Sequence, residues 1–144
     1  MDEEDMMVGY HGTTRDSAKD IILTQSIDDS IGEEEWLGKG KYFYDRYTNA
    51  LEYNIKKYNE NKQINQPISY KNLTKNYAIL ETVIKCPKKD ILNLDETIML
   101  SKFIWAWEKI YNKVKDNQVF KKINYRDGFI IDYMLNELPG CKYK

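Results

Sequence analysis

The sequence predicts an α+β fold in which helices flank a core sheet of mixed or antiparallel strands. Short runs rich in β-branched and aromatic residues alternate with longer segments whose apolar residues recur every three or four positions. The length of 144 residues, with 42% hydrophobic and 13% aromatic content, suffices for one hydrophobic core. We therefore expect a single domain over residues 1–144.

The first half of the chain is predicted to hold two strands and two helices. Thr14 is predicted to begin one helix and Thr48 to cap the other, and an apolar stripe follows each of them. In chain order we expect a strand at 6–10, a helix at 14–23, a polar loop at 24–37, a strand at 41–44 and a helix at 48–58.

The second half contains the strongest strand signal and two further helices. Residues 77–84 are predicted as a central strand from their β-branched and aromatic content, after a polar loop at 59–74. A second sheet segment is expected at 91–94, and helices are expected at 95–115 and 124–137. The predicted apolar stripe of the first of these helices comprises Leu100, Ile104, Trp107 and Tyr111. That of the second comprises Ile130, Ile131, Met134, Leu135 and Leu138, before Pro139-Gly140 ends the helix.

Composition excludes several classes of protein. No apolar run is long enough to cross a membrane and the first residues are acidic, so we expect a soluble, cytoplasmic protein without a membrane partner. Cys86 and Cys141 are isolated and predicted to be plain thiols, and a single histidine predicts no metal site. The second half is more basic than the first, which suits either a nucleic-acid partner or an ordinary solvated surface.

Two short motifs are the main candidates for chemistry, since the sequence lacks the Walker, GxSxG and HExxH patterns. His11-Gly12-Thr13 is predicted to join a strand to a helix. Gly38-Lys39-Gly40-Lys41-Tyr42-Phe43 is predicted to lead into another strand, and Tyr53 follows Tyr42 by eleven residues. A structural role is the alternative for each: the glycines suit a turn, and the aromatic rings suit a core.

In order and spacing these motifs resemble the ADP-ribosyltransferase superfamily, in particular the His-Tyr-Glu branch that includes the poly(ADP-ribose) polymerases. The family presents His-Gly-Thr/Ser, a helix, Gly-Lys-Gly-x-Tyr-Phe and then a Ser/Thr-x-x-Ala-x-x-Tyr helix. Here the last element is residues 48–53, which is one residue tighter in its first half. The resemblance covers residues 8–53 well and 77–95 loosely. It implies the split sheet of that family, with its last strands absent from residues 1–144.

The resemblance implies NAD as co-substrate and a role for each matching residue. His11 would bind the ribose of NAD, the backbone of Gly12 would hold the nicotinamide carboxamide, and Tyr42 and Tyr53 would sandwich the ring. Aromatic faces suit a cationic pyridinium. His11 and Tyr42 are the expected catalytic residues. The expected cofactor-binding set is His11, Gly12, Thr13, Gly40, Tyr42 and Tyr53.

The third element of the family signature, a carboxylate on a late strand, has no matching residue. Cleavage of the nicotinamide–ribose bond develops positive charge on the sugar, as in glycoside hydrolysis, so a nearby carboxylate is expected. Asp132 and Glu137 are late candidates that the helical spacing places on a polar face. Glu81, in the central strand, is an earlier candidate. The remaining alternative is a residue beyond position 144, in a chain that is C-terminally incomplete.

The predicted activity is transfer of ADP-ribose from NAD to a protein or nucleic-acid acceptor. Small bacterial and phage members of such families often act as toxins or conflict proteins, which implies a possible inhibitory partner protein. Two alternatives stay open. The chain could hydrolyse NAD, or it could be a module of the same fold that binds NAD or a protein without catalysis.

Overall fold

A computed structural model describes residues 3–30, 37, 39–61, 69–116 and 127–137. Within this part of the chain, the protein is a mixed α+β structure with a two-stranded antiparallel sheet and five α-helices, which confirms the predicted class. Its contacts group the chain into two compact units. The first comprises the described residues of Met1–Asp29 and Lys41–Cys86, and the second those of Ser30–Gly40 and Pro87–Lys144.

The first unit contains the sheet. Strand β1 (Glu4–Thr14) pairs with strand β2 (Tyr77–Pro87), and both are longer than the runs predicted from composition. Helix α1 (Arg15–Thr24) follows β1 without a loop. Thr14 caps it through its side-chain oxygen, which accepts from the backbone N–H of Ser17 at 3.3 Å. The predicted helix start is therefore confirmed within one residue.

Two more helices complete the described part of the first unit. Helix α2 (Tyr47–Glu60) begins after Arg46, which makes no side-chain cap bond, so the predicted cap at Thr48 is wrong. Thr48 instead lies inside the first turn. Helix α3 (Tyr70–Asn76) lies where the end of the polar loop was predicted. It is stabilised by Ser69, whose side-chain oxygen accepts from the backbone N–H of Asn72, and by the burial of Leu73. Residues 62–68 lie outside the described part.

The predicted strand at 41–44 is wrong. The segment contributes one antiparallel bridge, in which Tyr44 and Tyr10 exchange backbone hydrogen bonds of 2.8 Å. On the C-terminal side of the bridge, helix α2 begins three residues later, which leaves too little extended chain to continue the ladder in that direction. The bridge still holds residues 42–44 against β1, and this contact positions the site described below.

In the second unit, two helices pack together. Helix α4 (Thr97–Val114) and helix α5 (Asp127–Glu137) share a core of Ala106, Ile110, Ile130 and Met134. The predicted stripe of α4 is wrong, because Leu100, Ile104, Trp107 and Tyr111 are each at least 42% exposed. Ile130 and Met134 of α5 are buried as predicted. Leu138 and the predicted helix end at Pro139-Gly140 lie outside the described residues.

The predicted sheet segment at 91–94 is also wrong. A 3-10 turn at Lys88–Asp90 follows β2, and residues 91–94 continue as irregular chain and turn before α4. Pro87 ends the strand because proline has no N–H to donate to a further ladder bond. No helix in the described ranges is long and apolar enough to cross a membrane.

Candidate functional site

His11 and Tyr42 join the two sequence motifs directly. Nδ1 of His11 lies 2.9 Å from the backbone carbonyl oxygen of Tyr42. A carbonyl oxygen only accepts hydrogen bonds, so Nδ1 carries the proton and donates it. In the neutral ring, Nε2 is then left with a lone pair and acts as an acceptor. The half-buried histidine therefore presents a defined tautomer.

A cleft of about 510 Å³ opens beside His11 in the first unit. Four of its lining residues, at positions 17, 20, 21 and 24, recur at the spacing of one face of α1. The remainder come from the end of β1 and from the segment after α1. The described residues that line it are His11, Thr13, Ser17, Asp20, Ile21, Thr24, Ser26, Ile27 and Asp28. Two of the predicted site residues, His11 and Thr13, thus share one cavity.

Gly12 lies against helix α2. A Cβ atom at this position would stand 2.6 Å from Oδ1 of Asn54 and 2.8 Å from the backbone oxygen of Ala50. Asn54 is itself buried and donates through Nδ2 to the carbonyl of Ala78 on β2 at 3.0 Å. Since neighbouring residues of a strand point to opposite faces, Gly12 serves the packing of α2 while His11 and Thr13 face the cleft. This packing role accounts for the glycine independently of any ligand.

Tyr53 packs against Tyr44. Their ring centroids lie 6.1 Å apart at an angle of 47°, and Nζ of Lys57 sits 5.8 Å from the Tyr53 centroid. Tyr53 is 36% exposed. Sequence reasoning paired Tyr53 with Tyr42 and missed Tyr44. The alternation of side chains along an extended segment could have indicated Tyr44, because residues 42 and 44 lie on the same side of it.

Phe43 supports the histidine. Its ring centroid is 5.9 Å from that of His11, at an angle of 56°. Gly9 makes room for this ring, since a Cβ there would stand 2.9 Å from Cβ of Phe43 and 3.0 Å from Cδ1 of Ile84. The close approach of residue 43 to β1 therefore depends on a glycine two residues before His11.

The glycine motif divides between the two units. Gly38 lies outside the described residues. Gly40 belongs to the second unit, where it pairs with Ser30 through backbone hydrogen bonds of 2.7 and 3.1 Å. A Cβ atom on Gly40 would meet nothing within 4 Å. Steric space around Gly40 therefore gives no reason for a glycine at this position.

Glu81 interacts with Tyr10 on the opposite face of β1 from His11. The negative charge of Glu81, the partial burial of the phenol and its hydrogen bond to the carboxylate together raise the pKa of Tyr10. Because Tyr10 and His11 are consecutive in a strand, their side chains leave it on opposite sides. This placement disfavours Glu81 as the carboxylate of the cleft.

Replacement of Glu81 by glutamine is expected to return the pKa of Tyr10 toward the ordinary tyrosine value of 10.0. The raised pKa means that the fold holds this proton more tightly than the unfolded chain. Its contribution to stability is therefore present below the ordinary value and is lost as pH rises through the folded value. NMR titration of ¹³Cζ-labelled tyrosine measures the shift. Glu60→Gln, which removes a carboxylate paired with Lys57 at 3.0 Å, is the control and leaves Tyr10 unchanged.

The late carboxylate candidates are exposed, as their helical spacing predicted. Asp132 and Glu137 lie on α5 in the second unit. The carboxylates that line the cleft with His11 are instead Asp20 and Asp28, which sequence reasoning missed. The spacing of Ser17, Asp20 and Thr24 along one helix face was the available signal for the first of them.

Comparison with known proteins shows one relative and no assigned family. The chain is 31% identical over 142 positions to an uncharacterized protein of Methanocaldococcus jannaschii, in an alignment that covers 89% of this chain and 56% of the archaeal protein. The chain thus spans about half the length of the curated relative it matches. No protein-family model matches the sequence, and no solved structure matches it.

Proposed function

We propose that this chain binds NAD in the cleft beside His11 and transfers its ADP-ribose to a protein or nucleic-acid acceptor, on an ADP-ribosyltransferase-like fold. The observation that carries the proposal is the 2.9 Å hydrogen bond from His11 to the backbone of Tyr42. It brings the His-Gly-Thr motif and the Tyr-Phe segment, which are 31 residues apart in sequence, into direct contact. The order of these motifs supports the NAD assignment through their resemblance to the family.

The hydroxyl and apolar residues of the lining suit the sugars and base of a dinucleotide, whereas the described lining has two carboxylates and no lysine or arginine to neutralise its diphosphate. The cleft volume of about 510 Å³ lies within the range of roughly 300–1,000 Å³ typical of small-molecule sites. Hydroxyl groups of Thr13 and Ser17 can donate to and accept from ribose hydroxyls, whereas the Thr24 hydroxyl already donates to the backbone oxygen of Asp20 at 2.8 Å. Ile21 and Ile27 add apolar surface for a base. A site lined in this way can hold a ligand that combines sugars with an aromatic base.

His11 orients the sugar in this proposal. Its Nε2 lone pair accepts a hydrogen bond from a hydroxyl of the nicotinamide ribose, while the Tyr42 carbonyl keeps the ring in the required tautomer. By the resemblance, Tyr42 and Tyr53 would stack on the nicotinamide. Neither is among the described residues that line the cleft, and Tyr53 packs against Tyr44. NAD supplies the chemistry, since its nicotinamide is a leaving group, and the protein residues bind and align the bond to be cleaved.

Calorimetry with NAD, followed by nicotinamide release in the presence of a cell lysate, tests the proposal. Binding, release and label from ¹⁴C-adenine NAD on a macromolecule would support transfer. Free ADP-ribose without labelled macromolecule would overturn transfer in favour of hydrolysis, and binding without release would overturn it in favour of a binding module. A wild-type chain that does not bind NAD would overturn the cleft assignment itself.

A further inference from the structure

We infer that Asn54 is a positioning residue of the cleft, which supports the His11-Gly12-Thr13 segment from behind and keeps His11 within hydrogen-bonding distance of the Tyr42 carbonyl. The inference rests on the proposed function, because it concerns the orientation of the ring that is proposed to bind the ribose of NAD. Asn54 belongs to helix α2 and is not among the described residues that line the cleft, so it acts through Gly12.

The side chain of Asn54 contacts both strands of the sheet. It is 2% exposed and is the only buried polar side chain among the described residues. Its Nδ2 donates to the carbonyl oxygen of Ala78 on β2 at 3.0 Å. Since a carbonyl only accepts, this bond fixes the orientation of the amide, and Oδ1 lies toward Gly12 on β1. One side chain of α2 thus determines the spacing of this helix from β1 and β2.

The contact with Gly12 leaves Oδ1 of Asn54 without a hydrogen-bond donor in the described part of the chain. A buried acceptor without a donor costs the desolvation of that oxygen, and an apolar side chain of similar shape, such as leucine, avoids this cost. The bond to Ala78 offsets only the other half of the amide. The asparagine is therefore better explained by the groups that it holds in place than by the stability that it adds.

His11 is held on both sides along β1. The residue before it, Tyr10, is fixed by its bridge to Tyr44, which has two backbone hydrogen bonds of 2.8 Å. The residue after it, Gly12, lies so close to Asn54 that a Cβ atom would stand 2.6 Å from Oδ1. Because consecutive residues of a strand point to opposite faces, Asn54 supports the strand on the face away from the cleft. The direction of the imidazole ring depends on both of these supports.

NMR of the imidazole ring tests the inference, because His11 is the only histidine in the chain. Long-range ¹H–¹⁵N spectra show which ring nitrogen carries the proton. The neutral ring of the wild type is expected to be protonated on Nδ1, as the 2.9 Å bond to the Tyr42 carbonyl requires. In Asn54→Leu, the ring is expected to shift toward the mixture of tautomers of a free imidazole.

Calorimetry with NAD provides the second measurement on the same variant. Asn54→Leu is expected to bind NAD about ten-fold more weakly than the wild type, since the Nε2 acceptor of His11 is no longer held toward the cleft. Its melting temperature is expected to stay within about 5 °C of the wild type, because the substitution also removes an unpaired buried acceptor.

Leu73→Ala is the matched control. Leu73 is buried in the same unit, on helix α3, and is not among the nearest neighbours of a Cβ atom on Gly12. Its truncation leaves a cavity and is expected to lower the melting temperature by roughly 10 °C. The tautomer of His11 and the affinity for NAD are expected to stay at their wild-type values. A loss of stability alone therefore does not reproduce the effect of Asn54→Leu.

The two measurements separate this inference from the proposed function. An unchanged tautomer in folded Asn54→Leu, an equal shift in Leu73→Ala, or wild-type NAD affinity in Asn54→Leu would overturn the inference and leave the proposed function standing. A wild type that does not bind NAD would overturn the proposed function, whatever the NMR spectra show. Circular dichroism verifies folding, and Asn54→Ala, which also withdraws the support behind Gly12, provides the same measurements if Asn54→Leu does not fold.

Discussion

Replacement of His11 by asparagine is expected to weaken NAD binding about 30-fold without loss of the fold. The asparagine amide nitrogen can take the place of Nδ1 and keep the hydrogen bond to the Tyr42 carbonyl, which is 2.9 Å long in the wild type. It has no atom at the position of Nε2. A ribose hydroxyl in the cleft would then lose its acceptor, at a cost of about 2 kcal/mol. Calorimetry with NAD measures the change.

The matching variant His11→Gln separates the two ring nitrogens. Its longer side chain can place an acceptor near the Nε2 position, but it gives up the bond to Tyr42. We expect His11→Gln to bind NAD more tightly than His11→Asn and to melt at a lower temperature than it. Wild-type affinity in His11→Asn would contradict the proposed role of Nε2, and would leave the histidine as a structural link between β1 and residue 42.

Local chemistry explains which features of the site were predictable from sequence. The start of α1 follows from the capping preference of Thr14, which needs only the neighbouring N–H of Ser17. The juxtaposition of His11 with Tyr42 came from a resemblance in motif order. No local pattern encodes it, because it depends on one antiparallel bridge between Tyr10 and Tyr44. The segment 41–44 was therefore predicted as a strand, whereas it forms a single bridge. Its place near His11 was expected from the order of the motifs.

Helix α4 shows why an apolar pattern can indicate a helix and still miss its buried face. The helix has large apolar residues on more than one side, and the predicted stripe selected the aromatic side with Trp107 and Tyr111. In the structure these two rings stack on each other at 5.2 Å on the exposed surface. Ala106 and Ile110 face α5 instead, since a small residue permits close approach of two helices. The position of helix α5 determines which face of α4 is buried, and the apolar periodicity of the α4 sequence does not reveal that position.

The carboxylates of the cleft were missed for a related reason. Asp20 shares a helix face with Ser17 and Thr24, which the spacing could have shown. Asp28 reaches the same cavity only through the course of the irregular segment after α1, where Gln25 adopts a left-handed conformation with φ of 54°. Such a turn at a non-glycine residue has no firm sequence signature. The search for an acid in the late helix and central strand therefore passed over the segment beside the histidine.

Replacement of Gly12 by alanine is expected to destabilise the protein by about 3 kcal/mol, because the added methyl group would overlap helix α2. The new Cβ would stand 2.6 Å from Oδ1 of Asn54 and 2.8 Å from the backbone oxygen of Ala50. The backbone atom belongs to a helix and cannot rotate away as a side chain can. For a domain of this size the loss corresponds to a fall in melting temperature of about 10 °C.

Gly40→Ala is the matched control, since a methyl group there would meet nothing within 4 Å. Its melting temperature is expected to stay within about 2 °C of the wild type. Equal stability of Gly12→Ala and Gly40→Ala would contradict the packing of Gly12 against α2. If Gly12→Ala destabilises the protein as expected, a loss of NAD binding in that variant does not show that Gly12 contacts NAD. The glycine also packs against helix α2, which carries Tyr53. The His11→Asn variant, which leaves α2 untouched, is the substitution that separates binding from folding.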